Sequence, residues 1–306
     1  MKNKSLNKKL QAILNVALVI IIIPLIFSIF VDSPYILTID QFLGQENVYD
    51  NESDCITFLN ADEGDAILIR SNGRFVLIDT GDGAALDIVK ALKKNGVNGI
   101  DALILTHWHD DHIGGAVDVL ENFPVLNVVM PRFPDSVDEL YGAACTVNDA
   151  AEKAGVRFAV SAQGLAVNCG DFRLTCLYYD PNGDGENNRS AIYMAKCRNK
   201  KFLLMADGEI PLENKLLNES LNLDCDVIKI GHHGSNTSTS LDLLNAATPE
   251  YAVISVGRKN LYGHPSSEVV SLLNKNDIKV YRTDLCGEID IYVLENELDV
   301  KMQLVR

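Results

Sequence analysis

The stretch Thr106-His107-Trp108-His109-Asp110-Asp111-His112-Ile113-Gly114-Gly115 decides how this chain is read. An apolar run at 102–105 before it reads as a buried strand, and the pattern over 115–122 reads as a helix. Five of the six residues at 107–112 carry imidazole or carboxylate, donors that suit zinc, manganese or iron. His107 and His109 stand two apart on an extended segment, so their side chains point the same way and can share one metal. Asp111 and His112 lie at the turn into the helix, within reach of a second metal about 3.5–4 Å away. Gly114 and Gly115 let the backbone bend tightly there. A single histidine is more often structural than a ligand, but a cluster this dense is not.

The chain has six histidines, and the other three also stand in short motifs after strand-like runs. His232 and His233 lie in Ile230-Gly231-His232-His233-Gly234-Ser235, directly after an apolar run at 227–230. His264 lies in Asn260-Leu261-Tyr262-Gly263-His264-Pro265, beyond a run at 251–255. Loops at strand ends are where α/β folds place chemistry. Asp207, at the end of a run over 201–205, is a further carboxylate that could bridge two metals; taken alone it would read equally well as a turn residue.

Outward from these motifs the chain alternates short β-branched runs with helical patterns. The patterning predicts strands over 55–59, 66–70 and 74–78, with a hairpin turn at Ser71-Asn72-Gly73. Helices are expected over 84–95, 115–122 and 136–154, and strands over 125–130, 172–178, 190–196 and 201–205. Strand and helix then alternate to a closing hairpin over 287–294 and 299–305. Hairpins mixed with crossover helices imply sheets covered by helices in layers. Asp180-Pro181-Asn182-Gly183-Asp184-Gly185 imitates the start of a calcium loop, but position twelve is Ala191 rather than a bidentate Glu, so a strand-linking loop is favoured.

At this point the chain resembles a metallo-β-lactamase-fold hydrolase, whose signature is Thr-His-x-His-x-Asp-His, over 54–306. Within that superfamily it resembles the ComEC-type branch, the hydrolase domain attached to bacterial DNA-uptake channels. The shared features are 59–66, Ile78-Asp79-Thr80-Gly81, Asn187-Asn188-Arg189-Ser190, Ala206-Asp207, His232-His233-Gly234-Ser235, Tyr262-Gly263-His264-Pro265 and Tyr281-Arg282-Thr283-Asp284. The resemblance implies a four-layer αββα sandwich holding two divalent cations, zinc or else manganese. It places His107 and His109 on the first metal, Asp111 and His112 on the second, and Asp207 between them. One of His232 and His233 completes the second site; we expect His232 to be the ligand, leaving His233 and His264 as catalytic proton or hydrogen-bond donors. Asp79 would orient a ligand histidine from behind. A third first-site histidine should fall before Asp207, yet no His occurs from 113 to 231, and Asn187-Asn188-x-Ser190 occupies that region. Many ComEC-type members resemble His-x-Asp-x-Asp-His, whereas this chain keeps His109.

Such a pair would acidify a bound water and polarise the attacked oxygen. The expected activity is hydrolysis of a phosphodiester, nuclease- or phosphodiesterase-like, with DNA as a candidate partner. Arg189, Lys229 and Arg282 are candidate phosphate contacts. The alternatives are attack on a lactam, lactone or thioester at the same metals, or a non-catalytic surface binding module.

The 306 residues are 47% hydrophobic and 23% charged, a composition that excludes disorder and collagen-like repetition. The net charge of -15 argues against a general nucleic-acid coat. That charge is unevenly spread. Residues 1–31 hold Lys2, Lys4, Lys8 and Lys9 and no acid, so the remainder keeps 23 of the 27 Lys+Arg against all 42 acids. Between those lysines and Asp32 runs a chargeless stretch, 10–31, long enough for a helix across the roughly 30 Å of a bilayer core. A poor cleavage site at 30–34 favours an uncleaved anchor over a signal peptide. The expected layout is a cytoplasmic tail at 1–9, one transmembrane helix at 10–31, a stalk at 32–53 and an extracytoplasmic domain at 54–306. The seven cysteines are odd in number; Cys169 and Cys176 could bridge, although small buried hydrophobes are an equal reading.

Overall fold

Strands β1 (Cys55–Phe58), β2 (Ile67–Ser71) and β3 (Arg74–Ile78) open the fold in this computed structural model, which describes residues 53–84, 86–134 and 139–303. β2 and β3 form the expected hairpin: Ser71 pairs with Arg74, and Asn72 and Gly73 both take positive φ, the turn whose twist matches the strands. Helix α1 (Ile88–Lys94), β4 (Ala102–Ile104), α2 (Asp110–Ile113), α3 (Ala116–Asn122), β5 (Asn127–Met130), α4 (Glu139–Lys153) and β6 (Arg157–Val160) follow. Next come β7 (Ala166–Cys169), β8 (Phe172–Tyr178), β9 (Ile192–Cys197), β10 (Lys200–Leu204), α5 (Ile210–Asn218) and β11 (Val227–Lys229). The chain ends with α6 (Leu241–Ala247), β12 (Tyr251–Ile254), α7 (Ser267–Lys275), β13 (Lys279–Arg282), α8 (Thr283–Cys286), β14 (Glu288–Val293) and β15 (Leu298–Gln303).

The strands make two sheets, ordered β15-β14-β1-β2-β3-β4-β5-β6 and β13-β12-β11-β10-β9-β8-β7. Each is antiparallel in one part and parallel in the other: β3 to β6 run parallel in the first, β10 to β13 in the second. The period-2 alternation of side chains sorts the core into layers. Ile67, Ile69, Val76 and Ile78 face Phe172, Leu174, Tyr193 and Phe202 between the sheets. Leu68, Leu77, Leu103 and Val128, on the opposite face, pack on Leu92, Val119 and Val147 of α1, α3 and α4. The second sheet buries Met194, Leu203 and Ile228 under Leu212, Leu244 and Leu273 of α5, α6 and α7. Helix, sheet, sheet and helix therefore stack as four layers, each apolar face covered by the next.

Several elements depart from expectation. α1 starts at Ile88 rather than 84, because Asp87 Oδ1 accepts the Lys90 N–H at 2.9 Å and caps the helix. β6 lacks a strand-like burial pattern because it is an edge strand with all four residues exposed. α5 carries a proline in its first turn, where no helical N–H is needed. Cys169 and Cys176 are free thiols: Cys169 sits opposite Phe172, while Cys176 lies farther along β8, so the ladder register holds them apart. Among the described residues no helix is long and apolar enough to cross a membrane. The tail at 1–9, the apolar segment at 10–31 and all of 32–53 but Ser53 lie outside the described residues.

Candidate metal centre

The motifs converge at the carboxyl ends of the parallel strands. Asp79 follows β3, residues 106–112 follow β4, Asp207 follows β10, His232 and His233 follow β11, and the loop bearing His264 follows β12. The two sheets thus contribute facing halves of one site, with Asp207 and His233 of the second lying against Asp111 and His112 of α2 in the first.

Asp79 fixes the first half. Its Oδ1 accepts the Thr106 N–H at 2.8 Å, and its Oδ2 accepts the Thr106 hydroxyl at 2.7 Å and lies 2.8 Å from His112 Nδ1. A carboxylate accepts only, so Nδ1 of His112 carries a proton and Nε2 is turned into the site. His233 is held in the same way, with Nδ1 donating to the Ser255 carbonyl at 3.0 Å. Its Nε2 lies 3.3 Å from Asp111 Oδ2 and 3.4 Å from Asp207 Oδ1, while His112 Nε2 lies 3.2 Å from the same Asp207 oxygen. His112 Nε2, His233 Nε2 and Asp207 Oδ1 are buried and make no hydrogen bond.

That combination fits a cation. Ligands about 2.0–2.2 Å from a tetrahedral zinc stand about 3.4 Å apart, the spacing seen here. Asp111, His112, Asp207 and His233 form one cluster with ligand atoms within 4.8 Å of one another, and His107, His109 and Asp207 form a second. Asp207 joins them by turning Oδ1 to the first cluster and Oδ2 to His107 Nε2, at 3.8 Å. His107 Nε2 and His109 Nδ1 are 3.2 Å apart. A further grouping of Asp65, Asp79 and His112 lies behind.

Expectation and geometry differ at the paired histidines. His232, the expected ligand, lies outside both clusters; its Nδ1 is 3.2 Å from Glu209 Oε1 and from Thr237 Oγ1, and Asn187 Nδ2 is 3.3 Å from its ring. His233 takes the inward position. Both residues have left-handed backbone, φ 46° and 53°, which turns successive side chains to different sides. Asp79 and Ala206 share that conformation (φ 56° and 44°), so the site concentrates backbone that costs on the order of 1–3 kcal/mol per residue. His264 stands at the rim, its ring 5.4 Å from that of His232 and 6.4 Å from that of His233.

The charges follow from this packing. Burial opposes an imidazolium at His233, but Asp207, Asp111 and Asp65 outweigh it and lift the pKa to about 10. His112 is likewise raised against burial by Asp207 and Asp79. Burial lowers His107, helped by the charge of His112. Burial also lowers His264, so it is neutral at neutral pH and offers a hydrogen bond rather than a proton.

The candidate phosphate contacts are engaged within the protein. Lys229 is buried in an ion pair with Asp65, and Arg189 and Arg282 pair with Glu186 and Asp284. Sequence reasoning assigned no role to Asp65 or Glu63. Asp65 neutralises Lys229 beneath His233, while burial pushes the Glu63 carboxyl up to about 7. The run Asp62-Glu63-Gly64-Asp65 carried acids without showing which would face inward. Of the segment where the third histidine was expected in sequence, Asn187 touches His232, and Ser190 Oγ accepts the Asp207 N–H at 3.3 Å.

Paired sheets with a His and Asp cluster at the ends of their parallel strands define a metallo-hydrolase of the metallo-β-lactamase superfamily, and the family described as Metallo-beta-lactamase superfamily matches residues 59–134. The structure is similar to that of Igni18, a metallo hydrolase from Ignicoccus hospitalis KIN4/I, with a TM-score of 0.51 and 13% identity over 77% of this chain and 98% of that one. That likeness concerns the fold alone. The chain belongs to the ComEC-type branch of the superfamily. It is 33% identical over 205 residues to ComE operon protein 3 of Bacillus subtilis (strain 168), covering 66% of this chain and 26% of that protein. It is 32% identical over 249 residues to Competence protein ComA of Neisseria gonorrhoeae, covering 80% of this chain and 33% of that protein. The chain thus spans between a quarter and a third of the length of these relatives.

Proposed function

We propose that this chain is a binuclear metal-dependent phosphodiester hydrolase, with DNA as its candidate substrate, anchored in the cell membrane through 10–31 so that the domain from 54 onward works outside the cytoplasm. The observation that carries the metal reading is the set of buried ligand atoms facing one another at 3.2–3.4 Å without hydrogen bonds. In this reading His107, His109 and Asp207 hold one cation, and Asp111, His112, Asp207 and His233 hold the other, with zinc or manganese the fitting ions. Bound cations supply the Lewis acidity that activates water and polarises the phosphoryl oxygen. Asp79 and the Ser255 carbonyl hold the rings of His112 and His233 in the tautomer that presents Nε2. His264, neutral and at the rim, donates a hydrogen bond to the substrate, and His232, against Glu209, is the side chain that can pass a proton at the opening.

The relative named for competence favours DNA, and so a phosphodiester, as substrate, while matches over about a quarter of the chain to a hydroxyacylglutathione hydrolase and a thioesterase favour the thioester alternative. The nearly full donor set speaks against a non-catalytic module. The test uses one purified sample, assayed for metal content, for cleavage of bis(p-nitrophenyl) phosphate and for cleavage of a chromogenic lactam. Two metal equivalents and phosphodiester cleavage that disappears in Asp207→Asn are expected. Lactam cleavage alone would transfer the assignment to acyl chemistry, and a metal-free, inactive protein would overturn both. Membrane fractionation of the full chain against a chain lacking 1–53 tests the anchor.

A further inference from the structure

We infer that Tyr262 is a stacking platform that selects substrates bearing a planar aromatic base beside the scissile phosphate, an assignment that rests on the phosphodiester reading above. Tyr262 is 77% exposed and its neighbour Leu261 is 96% exposed, at the tip of the loop between β12 and α7. The loop is clasped from within. Asn260 Nδ2 donates to the carbonyls of Gly257 and His264 at 3.0 and 2.6 Å, and its Oδ1 accepts the His264 N–H at 2.8 Å. The tyrosine is therefore held out by a braced turn.

Its ring also has a direction. Tyr262 lies 5.8 Å from the His264 ring at an interplanar angle of 22°, and His264 lies 6.4 Å from His233 at the same angle. Three nearly parallel rings thus step from solvent to His233, whose Nε2 faces Asp111 and Asp207. Tyr262 keeps its ring beside His264 and leaves most of its surface open to a ligand. In this proposal a nucleotide whose phosphate lies at the cluster lays its base, or that of the next nucleotide, on the exposed tyrosine. Lys259, exposed in the same loop, adds positive charge to it, and Arg258, also exposed, donates Nε–H to the Asp284 carbonyl at 2.7 Å. An aromatic face with adjacent cations is how single-stranded nucleic acids are gripped without base reading. A tyrosine ring, with two side-chain torsions, loses little entropy in that role.

The experiment measures kcat/KM of the metal-loaded protein for thymidine 5′-(p-nitrophenyl phosphate) and for methyl p-nitrophenyl phosphate, and takes their ratio. Tyr262→Ala is expected to lower that ratio by about 5- to 150-fold, through KM, and Tyr262→Phe to keep it. In parallel, fluorescence anisotropy compares binding of an oligo-dT strand with an abasic strand of equal length. An unchanged ratio in Tyr262→Ala, or equal damage from Tyr262→Phe, would overturn the platform. If the unmodified protein cleaves neither ester, the phosphodiester reading falls and the binding arm decides. Preference for the dT strand that Tyr262→Ala abolishes sustains the platform, and equal binding of both strands ends it.

Discussion

At the residue scale the sharpest discrimination is between two neighbouring histidines. His233→Ala removes an Nε2 that faces both Asp111 and Asp207, so it should release one metal equivalent, whereas His232→Ala should retain both in elemental analysis. Asp79→Asn keeps a similar shape but loses the charge that fixes the His112 ring, and a loss of roughly 10–100-fold in metal affinity is expected by chelator competition. His107, His109, Asp111 and His112 were legible because their spacing on one short segment is itself the geometry. The choice between His232 and His233 was not. It depends on a left-handed backbone and on the carbonyl of Ser255, which no local pattern encodes. Lys229 misled for a similar reason: only the tertiary fold brings Asp65 to it.

Elements hold these residues by close backbone contact, and glycine is where that contact shows. A Cβ on Gly64 would overlap the carbonyl oxygen of Asp111, the same oxygen that accepts the Asp65 N–H at 3.1 Å. Gly64→Ala should therefore push the 62–65 loop off α2 and destabilise the protein by about 1–3 kcal/mol. For a domain of this size thermal unfolding would show a fall of about 2–4 °C for each kcal/mol. The strands β1 to β5 and the hairpin were readable from short apolar, β-branched runs and turn residues, since both faces of those strands are largely buried. β6 and α5 were not, because an exposed edge and a proline-led helix erase the signal. The cysteines belong to the same scale. Six of the seven are buried, and burial pushes Cys55, Cys169, Cys176, Cys197 and Cys225 up to about 12, so they pack as apolar groups. A thiol titration in denaturant should count seven free thiols, and a reductant should leave the unfolding temperature unchanged.

Across the whole molecule the candidate centre is a joint between two sheets. His107, His109, Asp111 and His112 come from the first sheet, and Asp207 and His233 from the second, so a cation bound to both halves resists their separation. Free metal at a hundred times its dissociation constant stabilises a fold that binds it by about 2.7 kcal/mol. Chelation should therefore lower the unfolding temperature, most strongly at alkaline pH. The pH dependence comes from the protons that cations must displace. His233 in the folded chain holds its proton up to about pH 10, against an ordinary value of 6.5, and His112 is raised as well. A raised folded pKa stabilises the metal-free fold fully below pH 6.5, and that contribution fades as pH rises through about 10. Metal affinity runs the opposite way, rising by about tenfold per pH unit for each imidazole proton displaced. The difference in unfolding temperature between metal-loaded and chelated protein should consequently widen from pH 6 to pH 9. A difference that narrows over that range would mean that His112 and His233 do not release protons to the metals.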